Sequence, residues 1–320
     1  MNAIESSEAV LTPVLACWKR RLAAGAGRRR RASAPRAPLG AALVVFVLLT
    51  ALVGAGAAGP GHEGARLTVH FIDVGQGDAV LVEAPSGKTM LVDGGPVEAS
   101  DRLVTYLKDR GVSRIDVVVA THPHADHIGG LLEVLRAFAV GLVVDSGKIH
   151  TTATYERFLT LVDQKGIRFR LGRAGDTIDL GPGLDVRILH PSEPLHESVN
   201  DCSVVLRLRF GSVGFLLMGD AEREAEDAIL RGETDVRAAV LKVAHHGSSS
   251  SSSPRFLRAV GPTVAVISVG AGNSFGHPHE MTFHDLAACA SRVYRTDVHG
   301  DVVVSTDGAV LRVEAARTEP

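Results

Sequence analysis

Apolar residues fall into short blocks whose spacing shifts between about two and about 3.6 residues, the periods of strands and helices. Residues 67–74 (LTVHFIDV) and 79–84 (AVLVEA) alternate or run apolar around the turn Gly75-Gln76-Gly77-Asp78. Residues 88–95 (KTMLVDGG) add a third strand with a glycine exit. This order predicts an antiparallel meander. Residues 100–111 have helical spacing and stop at Gly111. A buried strand over 115–122 ends on a histidine. A helix over 126–138, a strand over 140–145, a helix over 154–165 and strands at 167–170 and 184–189 follow. The second half repeats the logic with a hairpin (203–211 and 213–220), a helix (221–232) and a strand (238–246) ending in two histidines. A helix at 254–260, a strand at 263–270, a helix at 281–290 and a hairpin over 302–313, turning at Asp307-Gly308, complete it. Strand-rich halves with interspersed helices predict an α/β fold of two facing sheets with helices outside.

One stretch breaks this rhythm. Residues 39–58 run for twenty positions without a charge, enough helix to cross a hydrocarbon core of about 30 Å. Eight of the 34 basic and two of the 36 acidic residues precede or lie within it, so residues 1–58 carry +6 and the remainder −8. Positive charge before the run places the N-terminus in the cytoplasm and the body outside. The run ends in small residues (Gly54 to Ala57), so a single-pass membrane anchor and a cleaved secretory leader both fit. The expected organisation is a basic leader (1–38), the transmembrane or signal helix (39–58), a linker (59–66), one domain (67–314) and a tail (315–320).

Composition narrows the rest. With 45% hydrophobic and 22% charged residues the body is globular, neither disordered nor fibrous. Its acidic sign is not that of a generic nucleic-acid binder, although Arg157, Lys165, Arg168, Arg170 and Arg173 form a local basic track. Three cysteines exclude a disulfide scaffold and a four-cysteine zinc site; Cys202 and Cys289 could pair if exported. The 14 histidines matter more, because several cluster with aspartates.

Thr121-His122-Pro123-His124-Ala125-Asp126-His127 lies between a buried strand and a helix. Imidazole and carboxylate are ligands for zinc, and both also suit manganese or iron. His122 and His124 are two apart on an extended segment, so both can face one ion. Asp126 and His127 enter the helix and can face a second. Asp220 follows the strand FLLMG, where it can bind metal or cap the helix over 221–232. His245 and His246 end a strand, where neighbours point opposite ways, so only one is expected to bind metal.

The string resembles the HxHxDH signature of the metallo-β-lactamase superfamily. The nearest likeness is the extracytoplasmic hydrolase domain of ComEC-type competence (DNA-uptake) proteins. It rests on FIDVGQGDAVLV (71–82), LVDGG (91–95), HPHADHIGG (122–130), NDCSVVLRL (200–208), FLLMGD (215–220), LKVAHHGS (241–248), NSFGHPH (273–279) and RTDVHGDVVVSTDG (295–308). The resemblance implies a four-layer αββα sandwich with a binuclear centre at one edge of the sheets, and two divalent cations, Zn2+ or Mn2+. It implies that His122, His124, Asp126, His127, Asp220 and His246 bind metal, with Asp220 bridging. Asp126, Asp220 and His245 then serve catalysis by a metal-bridged hydroxide, with His245 holding a substrate oxygen or moving a proton. Asp78 and Asp93 brace the ligating imidazoles. Asn200 and Asp201 stand where many members carry a further histidine, and an oxygen donor or extra water there favours a harder ion such as manganese. Asn273, His277 and His279 are expected beside the substrate.

The expected activity is phosphodiester hydrolysis, with single-stranded DNA as a substrate. Another hydrolase of a small phosphoester, ester or lactam, or a non-catalytic metal-binding surface module, are the alternatives. In ComEC-type proteins a multi-helix channel usually accompanies the domain; here one apolar helix stands in its place. The membrane is the expected partner of that helix, and no obligate protein partner is evident.

Overall fold

The computed structural model describes residues 65–232, 235–290 and 292–318. The apolar run 39–58 and the basic leader lie outside the described residues. Among the described residues no helix is long and apolar enough to cross a membrane.

The elements run β1 (Leu67–Phe71), β2 (Val80–Glu83), β3 (Thr89–Val92), α1 (Ser100–Asp109), β4 (Arg114–Ala120), α2 (Ala125–Ile128), α3 (Leu131–Ala137), β5 (Ala139–Asp145), α4 (Ala153–Gln164), β6 (Arg168–Leu171) and β7 (Leu184–His190). They continue with β8 (Val205–Phe210), β9 (Val213–Leu217), α5 (Arg223–Arg231), β10 (Val240–Lys242), α6 (Pro254–Val260), β11 (Val264–Ile267), α7 (Glu280–Cys289), β12 (Arg292–Arg295), α8 (Thr296–His299), β13 (Val302–Thr306) and β14 (Leu311–Ala315). One sheet has eight strands in the order β14-β13-β1-β2-β3-β4-β5-β6, and the other has six in the order β12-β11-β10-β9-β8-β7.

Side-chain alternation sorts each strand into layers. Val80, Val82, Met90, Val117 and Val119 of the first sheet meet Leu206, Leu208, Phe215 and Val266 of the second in one core. The intervening Leu81, Leu91 and Val118 pack outward on Leu103, Leu131 and Phe158 of α1, α3 and α4. On the other side Leu216, Leu241 and Ala265 pack outward on Ile229, Leu257 and Leu286 of α5, α6 and α7. Strands buried on both faces must be apolar throughout, which explains their unbroken runs. The result is the expected αββα sandwich.

Strands β3 to β6 are mutually parallel, as are β9 to β12. Parallel strands bring their carboxyl ends to one edge, which is where open α/β sheets bind ligands. Two expectations need correction at that edge. The helix expected over 126–138 is two helices, because the chain leaving β3 inserts at Gly129-Gly130. Gly94 N donates to His127 O (2.7 Å) and Gly130 N to Gly95 O (2.9 Å). A Cβ on Gly130 would lie 2.0 Å from Gly94 O, so only glycine admits this approach. The strand expected over 238–246 ends at Lys242, and its paired histidines stand in a left-handed turn with φ of 47° and 53°.

Candidate metal centre

Each site residue follows a strand end. Asp93 leaves β3, His122 and His124 leave β4, Asp220 leaves β9, and His245 and His246 leave β10. The short α2 supplies Asp126 and His127, and Gly77 lets the preceding loop close on it, with Asp78 N donating to Asp126 O (3.2 Å).

Asp220 Oδ2 is the hub. It lies 3.2 Å from His127 Nε2, 3.6 Å from His246 Nε2, and 3.8 Å from His122 Nε2 and His245 Nε2. Asp126 Oδ2 is 3.4 Å from His246 Nε2 and 3.9 Å from His127 Nε2. Asp126, His127, Asp220 and His246 thus offer four ligand atoms within one small volume. His122 Nε2 and His124 Nδ1 lie 3.0 Å apart, with the His122 ring 4.1 Å from that of His127 and its Nε2 also within reach of Asp220. One carboxylate between two nitrogen-rich groups is the donor arrangement of a binuclear centre.

The supports behind the ligands set which atoms point inward. His127 Nδ1 donates to Asp93 Oδ2 (2.8 Å), and His246 Nδ1 donates to the Ser268 carbonyl (2.9 Å). Each bond holds a proton on Nδ1 and turns Nε2 toward Asp220, so that a cation there would take the place of any proton on Nε2. His122 Nδ1 donates to Thr121 Oγ1 (3.1 Å), whose hydroxyl donates to Asp93 Oδ2 (2.7 Å). Buried Asp78 lies behind the histidines, 3.8 Å from His127 Nδ1 and 3.5 Å from His246 Nδ1, and pairs with the buried Lys242 ammonium.

Whether these residues suit a metal can be tested on their unmet bonds. His127 Nε2, His246 Nε2 and Asp220 Oδ1 are buried and hydrogen-bond to nothing. Buried polar atoms without partners are rare and costly, and cations bound by these residues would relieve that cost. Charge agrees. Burial opposes charge on His127, but Asp220, Asp93 and Asp126 outweigh it and hold its imidazolium well above the usual histidine range. Burial likewise opposes ionisation of Asp220 and Asp126, yet the neighbouring histidines, His127 foremost, hold both below the usual carboxylate range. Burial pushes His122 well below its ordinary value, so it stays a neutral donor. The cluster therefore demands positive charge at its centre, and the donor set fits divalent cations.

The paired histidines differ. His246 is 2% exposed and inside the cluster. His245 stands at the mouth, and its Nδ1 donates to Glu222 Oε1 (2.9 Å). Strand alternation does not separate them, because the left-handed turn replaces the strand.

Two further expectations fail. Asp201 is no donor to the centre: its Oδ1 accepts from Glu222 N (2.9 Å) and Ala225 N (3.1 Å), capping α5 in place of Asp220. Amides at a helix start lack partners, and Asp201 meets two of them. Asn273 does not face substrate, because its amide is spent on its own loop. Its Oδ1 accepts from Phe275 N (3.1 Å) and His277 N (3.0 Å), and its Nδ2 donates to the Gly270 (3.0 Å) and His277 (2.6 Å) carbonyls. Asn200 Nδ2 donates to Glu222 Oε1 (3.4 Å), while its Oδ1 is buried and hydrogen-bonds to nothing. His277 does face the site, its ring 5.4 Å from that of His245, and burial beside the paired histidines pulls it down to about 4. His279 is an exposed residue at the start of α7. Cys202 and Cys289 are both free thiols.

Glu222 and Lys242 escaped the sequence reading. A lone lysine inside the apolar strand AAVLKVA was the available signal, since a charge there must be paired. Glu222 carried none beyond standing two residues after Asp220.

Comparison with known proteins gives the family. Residues 72–271 match the family model described as Metallo-beta-lactamase superfamily. ComE operon protein 3 of Bacillus subtilis (strain 168) is 31% identical over 252 residues, covering 73% of this chain and 32% of that protein. Competence protein ComA of Neisseria gonorrhoeae is 32% identical over 230 residues, covering 71% and 30%. The chain spans about a third of the length of these relatives. Among solved structures, the metallo-beta-lactamase fold protein YhfI from Bacillus subtilis is 12% identical with a TM-score of 0.49, covering 78% of this chain and 100% of that one. With the ligand set assembled and most of the domain matched, the chain belongs to the metallo-beta-lactamase superfamily.

Proposed function

We propose that this protein is a binuclear metal-dependent phosphodiesterase acting on single-stranded DNA, held at the membrane by residues 39–58 with its catalytic domain outside the cytoplasm. The observation that carries the hydrolase is the convergence of His127 Nε2 and His246 Nε2, buried and unpartnered, on Asp220 and Asp126. His122, His124 and Asp220 would hold one ion, and Asp126, His127, His246 and Asp220 the other. Imidazole donors suit zinc, and the site with fewer protein donors, left open by Asp201, admits manganese. Two such ions, when bound, supply a water ionised near neutral pH and neutralise charge on a phosphoryl group.

The chain's own residues do the rest. Asp93, Thr121 and the Ser268 carbonyl hold the imidazoles in one tautomer, so no reorganisation precedes the reaction. His245, fixed by Glu222 through Nδ1, presents Nε2 at the mouth and can hand a proton to a leaving oxygen. Phe275 is 67% exposed and lies nearly parallel to His277, with ring centroids 5.8 Å apart and planes at 23°. An open aromatic face beside the centre offers a base a surface to stack on, which supports a polynucleotide over a small ester. The likeness to competence proteins supports the same substrate.

The test is metal analysis with a substrate panel. The protein should hold two divalent ions and cut single-stranded DNA with Mn2+ or Zn2+. Asp126→Ala and Asp220→Asn should lose both properties. Phe275→Ala should raise KM for DNA about tenfold, from lost stacking, and leave bis-p-nitrophenyl phosphate turnover unchanged. Turnover of nitrocefin with DNA left intact would sink the substrate assignment, and a protein that takes up no divalent ion would sink the hydrolase.

A further inference from the structure

A second charged site lies at the opposite end of the six-stranded sheet. A cavity of about 430 Å³ is lined by Arg207, Arg209, Arg237, Arg258 and Asp235, with Gly214 and Ala238 among its other walls. Gly214 and Ala238 stand at the amino ends of β9 and β10, whereas Asp220 and His246 follow the carboxyl ends. The cavity therefore shares no residue with the metal centre.

Its arginines are placed by the strand period. Leu206, Leu208 and Phe210 of β8 enter the core between the sheets, so Arg207 and Arg209 face outward. Elsewhere helices cover that face, but here α6 reaches only with its last turn, Arg258 to Val260, and Gly214, opposite Arg209 in register, has no side chain to fill the space. Arg207 is 7% exposed, and its Nε hydrogen-bonds to nothing. Its Nη2 meets Asp235 Oδ2 at 3.4 Å, a long contact. Asp235 is already engaged, because Arg237 donates to it from Nε (2.9 Å) and from the backbone (3.1 Å).

Among the described lining residues four guanidiniums thus share one carboxylate, on a body whose net charge is −8. Guanidiniums gathered around one carboxylate repel one another, and an anion entering the cavity would relieve that repulsion. Guanidinium forks match phosphate oxygens in pairs. The volume falls within the range of about 300–1,000 Å³ usual for small-ligand sites. We infer that this arginine-lined cavity binds a phosphate-bearing ligand, separately from the metal centre.

The test uses the full chain with Asp220→Asn, stripped with chelator so that the metal centre contributes nothing. Inorganic phosphate, ATP and a single-stranded oligonucleotide are titrated in turn by calorimetry. Saturable binding of at least one is expected, and the tightest of the three identifies whether a free phosphate, a nucleotide or a strand is the source. Arg209 and Arg258 are exposed, so Arg209→Gln with Arg258→Gln should leave thermal unfolding unchanged and weaken binding about tenfold or more. Failure of all three probes to bind, or undiminished binding by the double variant, overturns the inference. Neither result bears on hydrolysis at the metal centre, which is read separately with bis-p-nitrophenyl phosphate.

Discussion

His245 and His246 are adjacent yet do different work, because both adopt a left-handed conformation that costs about 1–3 kcal/mol each and re-aims their side chains. Asp93 shares that conformation, with φ of 59°, so three of the residues at the site carry it. His246→Ala should halve the bound metal, whereas His245→Ala should keep the metal and lower kcat by about 10²–10⁴, measured together by elemental analysis and steady-state kinetics. Asp145 gives a pH test away from the ligands. Burial pushes its carboxyl up to about 6, with Oδ2 unpartnered while Oδ1 accepts from Gly147 N (2.6 Å) and Tyr155 Oη (3.1 Å). The folded chain holds that proton more tightly than the unfolded one, so this group's stabilising contribution is lost as pH rises from about 4 through about 6. Asp145→Asn should match the parent near pH 4 and exceed it at pH 8 by about 3 kcal/mol in urea unfolding. At this scale the contiguous run His122 to His127 was legible because its ligands are neighbours in sequence. Glu222 was not, because its role exists only through contact with His245.

The expected strands and helices appear with ends shifted by a few residues, and β12 and α8 are elements that the periodicity did not announce. The helix over 126–138 and the strand over 238–246 were misread for one reason. Periodicity continues through Gly129-Gly130 and through His245-His246, while the backbone does not. The break between α2 and α3 admits the chain after β3, which brings Asp93 to His127. The start of α5 shows a related exchange. Asp220 has the spacing of a cap, but Asp201 performs it from another part of the chain and leaves Asp220 free for the centre. Asp201→Ala should therefore cost about 1–2 kcal/mol in chemical denaturation while the metal content stays unchanged. A loss of metal in that variant would return Asp201 to the ligand set.

On the scale of the whole molecule, the two sheets each carry a parallel half, and their carboxyl ends share one edge. Buried carboxylates gather there: Asp78, Asp93 and Asp220. Lys242 offsets one of them, and His127 stands among the others. Cations that bind the folded chain and not the unfolded one stabilise it by mass action, about 2.7 kcal/mol at a hundredfold excess over Kd. Chelation should accordingly lower Tm, and Zn2+ or Mn2+ should restore it; a Tm indifferent to chelator would contradict the assembled centre.

Alternation within a strand and spacing within a helix are local properties, so layer assignment, the αββα class and the His122 to His127 motif could be read from residue order alone. The choice between Asp201 and Asp220 as helix cap, the separate roles of His245 and His246, and the burial of Lys242 against Asp78 could not. Each depends on which distant groups meet once the sheets stack, because a buried charge or an open amide takes whichever partner the packing brings within reach.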